Sequence, residues 1–248
     1  MNDYQAPCAL LKNKIILITG AGDGIGAVAA KTYAEYGATC ILLGRTVSKL
    51  EKVYDEIVEK GYPEPAIIPL DLNGATPSHY DQMAMTIKEQ FGQLDGILFN
   101  ASILGHIGPF ADIEPDQWQQ IMQVNVNSTA FLIKSLLSVL RASDNASVIL
   151  TTSSVGRKGR SFWNGYAVSK FATEGMMQVL AAEYTNRNIR FNCINPGATK
   201  TQMRASAFPA ENADTLKTPE DIMPLYLYLM GDDSIEINGQ SLDCQPKR

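Results

Sequence analysis

KIILITGAGDGIG, Lys14 to Gly26, decides the fold. Its first half, KIILIT, is a short run rich in β-branched residues, of the kind that forms a buried strand. Gly20, Gly22, Gly24 and Gly26 then crowd one turn, and a helical segment continues through Glu35. Glycines suit a turn in which the backbone doubles back tightly and comes close to a pyrophosphate with no Cβ in the way. The N–H groups of a helix start would then face the phosphate charge. The spacing is TGxxxGxG, carried by Thr19, Gly20, Gly24 and Gly26, rather than the GxGxxG of the commonest dinucleotide fingerprint. A glycine-rich turn alone is often only a turn. Strand before it and helix after it make it a candidate cofactor cradle, with Asp23 and Ile25 among its residues.

A second cluster lies in the C-terminal half. Ser153 is followed thirteen positions later by Tyr166 and then by Lys170, with Asn125 upstream. The segment GYAVSKFATEGMMQVLAAEY has helical periodicity, so Tyr166 and Lys170, four apart, project from one face. A neighbouring ammonium favours phenolate over phenol, which would fit Tyr166 for general acid or base chemistry. A buried tyrosine beside a surface lysine gives the same spacing.

Taken together, the motifs resemble the short-chain dehydrogenase/reductase family over nearly the whole chain. Other landmarks occur in the same order: Asp71-Leu72 after a strand-like run, Asn100-Ala101-Ser102 where the family has NAG, Asn125 in VNVNS, and Pro196-Gly197 with Thr199 and Thr201. Within the family the chain looks most like poorly characterised bacterial members described as oxoacyl-(acyl carrier protein) reductase-like, which share SVGRxGR, SKFATEGMMQVLA and KTPxDIMPLYL. The resemblance implies that Tyr166 exchanges a proton with a carbonyl or hydroxyl oxygen. Ser153 would hydrogen-bond that oxygen. Lys170 would lower the Tyr166 pKa and hold the nicotinamide ribose, and Asn125 would hold a water for proton resupply or else satisfy helix backbone. Thr19, Gly20, Gly22, Asp23, Gly24, Ile25, Gly26, Gly44, Arg45, Asp71, Leu72, Asn100, Ala101, Tyr166, Lys170, Pro196, Gly197, Thr199 and Thr201 would bind the cofactor. Ser102 adds a side chain where the family has none.

Strand-like segments near 14–19, 39–43, 66–70, 95–100, 147–152, 189–194 and 237–243 alternate with helical ones. This pattern predicts one α/β Rossmann-type doubly wound domain over residues 1–248: a central parallel sheet of about seven strands, helices on both faces, and a substrate lid around 201–218. Every landmark follows a strand, so residues distant in sequence can converge at the carboxyl ends of the sheet. A length of 248 residues suits one domain of this class.

Cofactor choice turns on LLGRT, the end of the second strand. An NAD enzyme needs an acid there to hold the ribose hydroxyls, whereas this chain has Gly44 and then Arg45, whose guanidinium suits the 2′-phosphate of NADP. NADP is therefore the expected cofactor, with NAD as the alternative. Asp23 opposes this reading, because NADP-dependent relatives often carry a basic residue at that place. Arg45 could also merely cap the helix that follows.

A net charge of −5 argues against a nucleic-acid face. No apolar run reaches membrane-span length and MNDYQ is no export signal, so a cytoplasmic protein is expected. Cys8, Cys40, Cys193 and Cys244 have no metal or redox spacing and read as reduced thiols. No metal is expected from two histidines, and His106 is at most a substrate contact. Arg157, Lys158 and Arg160, beside Phe162 and Trp163, could attract an acidic carrier or form ion pairs between subunits. The family habit implies a homo-oligomer, dimer or tetramer, and the ending SLDCQPKR departs from the usual glycine-rich finish. Three functions stay open: NADP-dependent reduction of a 3-oxoacyl thioester or similar ketone, NAD-dependent oxidation of an alcohol or sugar alcohol, and cofactor binding without turnover.

Overall fold

The computed structural model describes residues 3–185 and 188–246. Seven strands form one sheet: β1 (Ile15–Thr19), β2 (Thr39–Gly44), β3 (Ala66–Pro69), β4 (Gly96–Phe99), β5 (Ala146–Thr151), β6 (Ile189–Asn195) and β7 (Ser241–Asp243). All neighbours pair in parallel, in the order β3-β2-β1-β4-β5-β6-β7. The chain thus winds outward from β1 in one direction and from β4 in the other, opening a crevice where the order reverses.

Helices α1 (Gly24–Glu35), α2 (Val47–Glu59) and α8 (Met223–Met230) cover one face, where Ile16 and Ile18 of β1 are buried with Ala30, Leu50 and Tyr226. Helices α3 (Pro77–Phe91), α5 (Ser128–Leu140) and α6 (Asn164–Glu183) cover the other, packing on Leu17, Ile97, Val148 and Phe191. Both sides of the central strands are fully buried, which explains why they read as continuous rather than alternating apolar runs. A short α4 (Pro115–Met122) leads through a single π turn, Gln123–Asn127, into α5, and a six-residue α7 (Gln202–Ala207) lies in the expected lid.

The last strand is shorter than the expected 237–243. Gly239 has φ +72° and sits in a turn whose N–H bonds the Phe191 carbonyl, so the ladder begins only beyond it. Gln245, in the non-glycine ending, donates to the carbonyls of Pro196 and Ala198 at 2.9 and 3.0 Å and ties down the loop after β6.

Candidate active site

A cleft of about 700 Å³ runs along the carboxyl ends of the strands at the β1/β4 reversal. One end is bordered by Asp23, Arg45 and Lys49, the other by Ser153, Tyr166, Trp163 and Met203. Of the expected residues, Gly20, Gly22, Asp23, Gly24, Ile25, Gly44, Arg45, Asp71, Leu72, Asn100, Ala101, Ser153, Tyr166, Lys170, Pro196, Gly197, Thr199 and Thr201 all border it.

Thr19, Gly26 and Asn125 lie behind that lining. Thr19 is 1% exposed, and its hydroxyl accepts from the Asn100 and Ala101 amides at 3.0 Å each, pinning the end of β4 to the end of β1. Gly26 lets α1 press on the glycine turn: a methyl there would lie 2.2 Å from the Gly20 carbonyl oxygen and 2.7 Å from Asn100 Nδ2. Asn125, carried by the π turn, has its Oδ1 accepting from Ile103 N at 2.9 Å. Its Nδ2 donates to Ile103 O at 2.9 Å and to Ser169 Oγ at 3.0 Å. Both amide protons are consumed, so the side chain braces the cleft wall, and only the backbone of this wide turn is left for a water.

Ser153, not its neighbour Ser154, borders the cleft. The tight turn after it packs on α6, where a methyl on Gly156 would lie 2.8 Å from Lys170 backbone, and this brings Ser153 to Tyr166. Tyr166 and Lys170 are 8% and 4% exposed. Lys170 Nζ donates to the Thr151 carbonyl at 2.8 Å and lies 5.5 Å from the Tyr166 ring centre. Burial pushes the phenol up to about 12, against the smaller pull of the Ser153 hydroxyl, and brings the lysine down to about 8. Burial of the phenol thus works against the lowering expected from Lys170. Desolvation favours the neutral form of each group, and with the two groups near 12 and 8 the phenol keeps its proton at neutral pH while the amine is largely charged.

Around Tyr166 the wall is apolar. Val155, Tyr166 and Ala167 cluster with Leu104, Trp163 and Met203, and Trp163 lies 5.8 Å from the Tyr166 ring and 5.9 Å from Phe208. The segment expected to form a lid is braced internally. Arg204 makes a two-pronged pair with Glu211, 2.6 Å on each prong, and stacks 3.8 Å over Phe208, while Lys200 N bonds the Lys217 carbonyl at the lid's base. The buried hydroxyls of Ser102 and Thr152 border the cleft without a protein partner.

Arg157 is not part of a free basic patch. Its guanidinium bonds Glu174, Ser241 and Asp243 of the same chain at 3.2, 2.9 and 2.8 Å, an ion-pair network within the subunit. Lys158 and Arg160 remain exposed. His106 is exposed and outside the cleft lining, held by its backbone to Gln117 and Asn164. All four cysteines are free, and only Cys8 is exposed. Among the described residues there is no cluster of three His, Cys, Asp or Glu able to hold a metal. Nor is any helix there long and apolar enough to cross a membrane.

Lys49 and Asn73 in the cleft wall were not anticipated. Lys49 was findable in principle, since a helix that starts just after β2 must bring its first turn to the cleft rim.

The family model for short chain dehydrogenases matches residues 14–212, four-fifths of the chain and every strand bordering the cleft. The chain is a short-chain dehydrogenase. It is 54% identical over 245 residues to uncharacterized oxidoreductase YciK of Escherichia coli K12, covering 99% of this chain and 97% of that protein. It is also 30% identical to a 3alpha-hydroxysteroid dehydrogenase of Mediterraneibacter gnavus, over 94% of this chain and 96% of that one. A short chain dehydrogenase from Escherichia coli CFT073, solved in complex with NADPH, superposes with a TM-score of 0.95 at 54% identity, covering 97% of this chain and all of the other. Like its relatives in this family, the chain is an oxidoreductase.

Proposed function

We propose that this dehydrogenase uses NADPH to reduce a ketone whose immediate neighbourhood is apolar, a 3-oxoacyl chain or a similar ketone. The observation that carries the reading is the convergence of Ser153, Tyr166 and Lys170 at one end of a cleft whose other end is rimmed by Arg45 and Lys49. A dinucleotide needs both ends. Gly44 stands where an acid would hold the ribose hydroxyls of NAD, and a side chain there would begin 3.2 Å from Leu50 Cδ2, which disfavours the NAD reading. Relatives solved with NADP and NADPH lend further support.

Bound NADPH would supply the hydride; the chain supplies the rest. Tyr166 Oη, protonated at neutral pH, gives its proton to the carbonyl oxygen as negative charge builds there. Ser153 Oγ donates a hydrogen bond to the same oxygen. Lys170, held by Thr151 O, faces the tyrosinate that remains and stabilises it by its charge. Leu104, Trp163 and Met203 exclude water and select apolar substituents. With Arg157 already neutralised, only Lys158 and Arg160 of the basic trio are left to attract an acidic carrier.

We also read Phe131 on α5 and Val168, Phe171 and Val179 on α6, each at least 39% exposed, as faces covered in a homo-oligomer, testable by light scattering. A cytoplasmic location fits the same reading. The decisive assay follows NADPH absorbance with a panel of ketones, quinones and acyl thioesters. Tyr166→Phe should lower turnover by at least ~10²-fold while NADPH still binds. Wild-type turnover by the Phe variant would refute the assignment.

A further inference from the structure

Asp23 and Arg45 look contradictory in a site for NADPH, because a carboxylate beside the 2′-phosphate opposes what the guanidinium attracts. The structure removes the contradiction through a third residue. Helix α2 begins two residues after Arg45, so Lys49 in its first turn stands at the same rim. Lys49 packs across the glycine turn, its Cβ 3.0 Å from where a Gly22 methyl would be, and its ammonium reaches Asp23 Oδ2. The other carboxylate oxygen accepts from Gly24 N at 2.7 Å and caps α1. Each Asp23 carboxylate oxygen thus has a donor, and the hydrogen bond from Lys49 holds its carboxyl below the usual range. Arg45 is exposed and, among the described residues, pairs with no carboxylate. Asp71, the other acid at this end, accepts from its own Asn73 N at 3.0 Å.

We propose that Lys49 is a specificity-determining residue for the 2′-phosphate. Asp23 holds its ammonium at the rim as a counterion, and on binding the phosphate takes Lys49 together with Arg45. The proposal rests on the NADPH reading. Both cations of this end flank a helix start or a glycine turn, and neither would have anything to hold in a nucleotide ending in a free 2′-hydroxyl. A phosphate dianion carries more negative charge than a carboxylate and offers three acceptor oxygens to the Lys49 ammonium, so the exchange favours NADPH. An exposed pair of this kind adds little to stability, which leaves it free to be exchanged.

Calorimetric titration of the full-length chain with NADPH, NADH, 2′,5′-ADP and 5′-AMP tests this without reference to turnover. Lys49→Met should weaken NADPH and 2′,5′-ADP by about tenfold and leave NADH and 5′-AMP within about twofold. Asp23→Asn keeps the cap oxygen and should tighten NADPH several-fold with no change for NADH. Added to Lys49→Met, it should restore part of the loss. Equal effects of Lys49→Met on phosphorylated and unphosphorylated ligands, or none on either, overturn the proposal. If the wild type does not prefer NADPH, the underlying cofactor reading fails. If it does, and Arg45→Ala abolishes the preference while Lys49→Met preserves it, only the role of Lys49 fails.

Discussion

Replacing Lys170 by Met tests whether burial governs the catalytic pair, and it separates the electrostatics of the site from its chemistry. Lys170 is 4% exposed, and burial moves its ammonium from 10.5 to about 8. That difference corresponds to roughly 3 kcal/mol of folding free energy lost at neutral pH, where the folded chain must keep a charged amine out of water. The folded value lies below the unfolded one. Between about pH 8 and 10.5 the unfolded chain therefore binds the additional proton, and wild-type stability from this group rises with pH across that window. Met fills similar space and carries no proton, but it gives up the hydrogen bond to Thr151 O, which costs on the order of 1–3 kcal/mol. At pH 7 the two effects nearly cancel, and the variant should lie within about 2 kcal/mol of the wild type while losing turnover. By pH 10 the wild type should have gained roughly 2–3 kcal/mol on it. Urea unfolding of the cofactor-free protein, followed by tryptophan fluorescence at one protein concentration from pH 7 to 10, measures the difference. Other titrating groups are common to both chains and cancel. A stability difference that is constant over that range would refute the claim that burial, rather than pairing with Tyr166, sets the state of Lys170.

Gly26→Ala should weaken NADPH binding at least about tenfold and cost roughly 1–3 kcal/mol of stability, because its methyl meets the Gly20 carbonyl; calorimetry and thermal unfolding check both. Arg157→Met strips Glu174, itself 6% exposed, of its cation and should destabilise the chain by roughly 1–3 kcal/mol without changing oligomer mass, read by urea unfolding and light scattering. Asn125→Ala frees both backbone groups of Ile103 and should cost about 2 kcal/mol, and an Asn125→Asp variant should also fail to restore stability, since a carboxylate cannot donate to Ile103 O.

Much of the architecture was legible because it rests on local chemistry. A strand buried on both faces must be apolar throughout, a pyrophosphate turn must be glycine, and a tyrosine and a lysine that act together from one helix must sit a turn apart; each is a constraint on neighbours in the chain. KIILITGAGDGIG and the Ser153, Tyr166, Lys170 set therefore announced the sheet, the cleft and its catalytic end. What the tertiary structure alone decided concerns pairs that are distant in sequence. Arg157 reads as a loop cation until β7 and α6 bring Asp243 and Glu174 against it. Asp23 reads as an obstacle to NADPH until α2 places Lys49 on it. Thr19 meets the two amides it accepts from, those of Asn100 and Ala101, only once the chain just beyond β4 is brought against it, and the protonation of Tyr166 and Lys170 depends on how completely the fold removes water from them. Charges and hydrogen bonds act over a few ångströms of space regardless of chain separation, so their balance is set only once folding has chosen the neighbours.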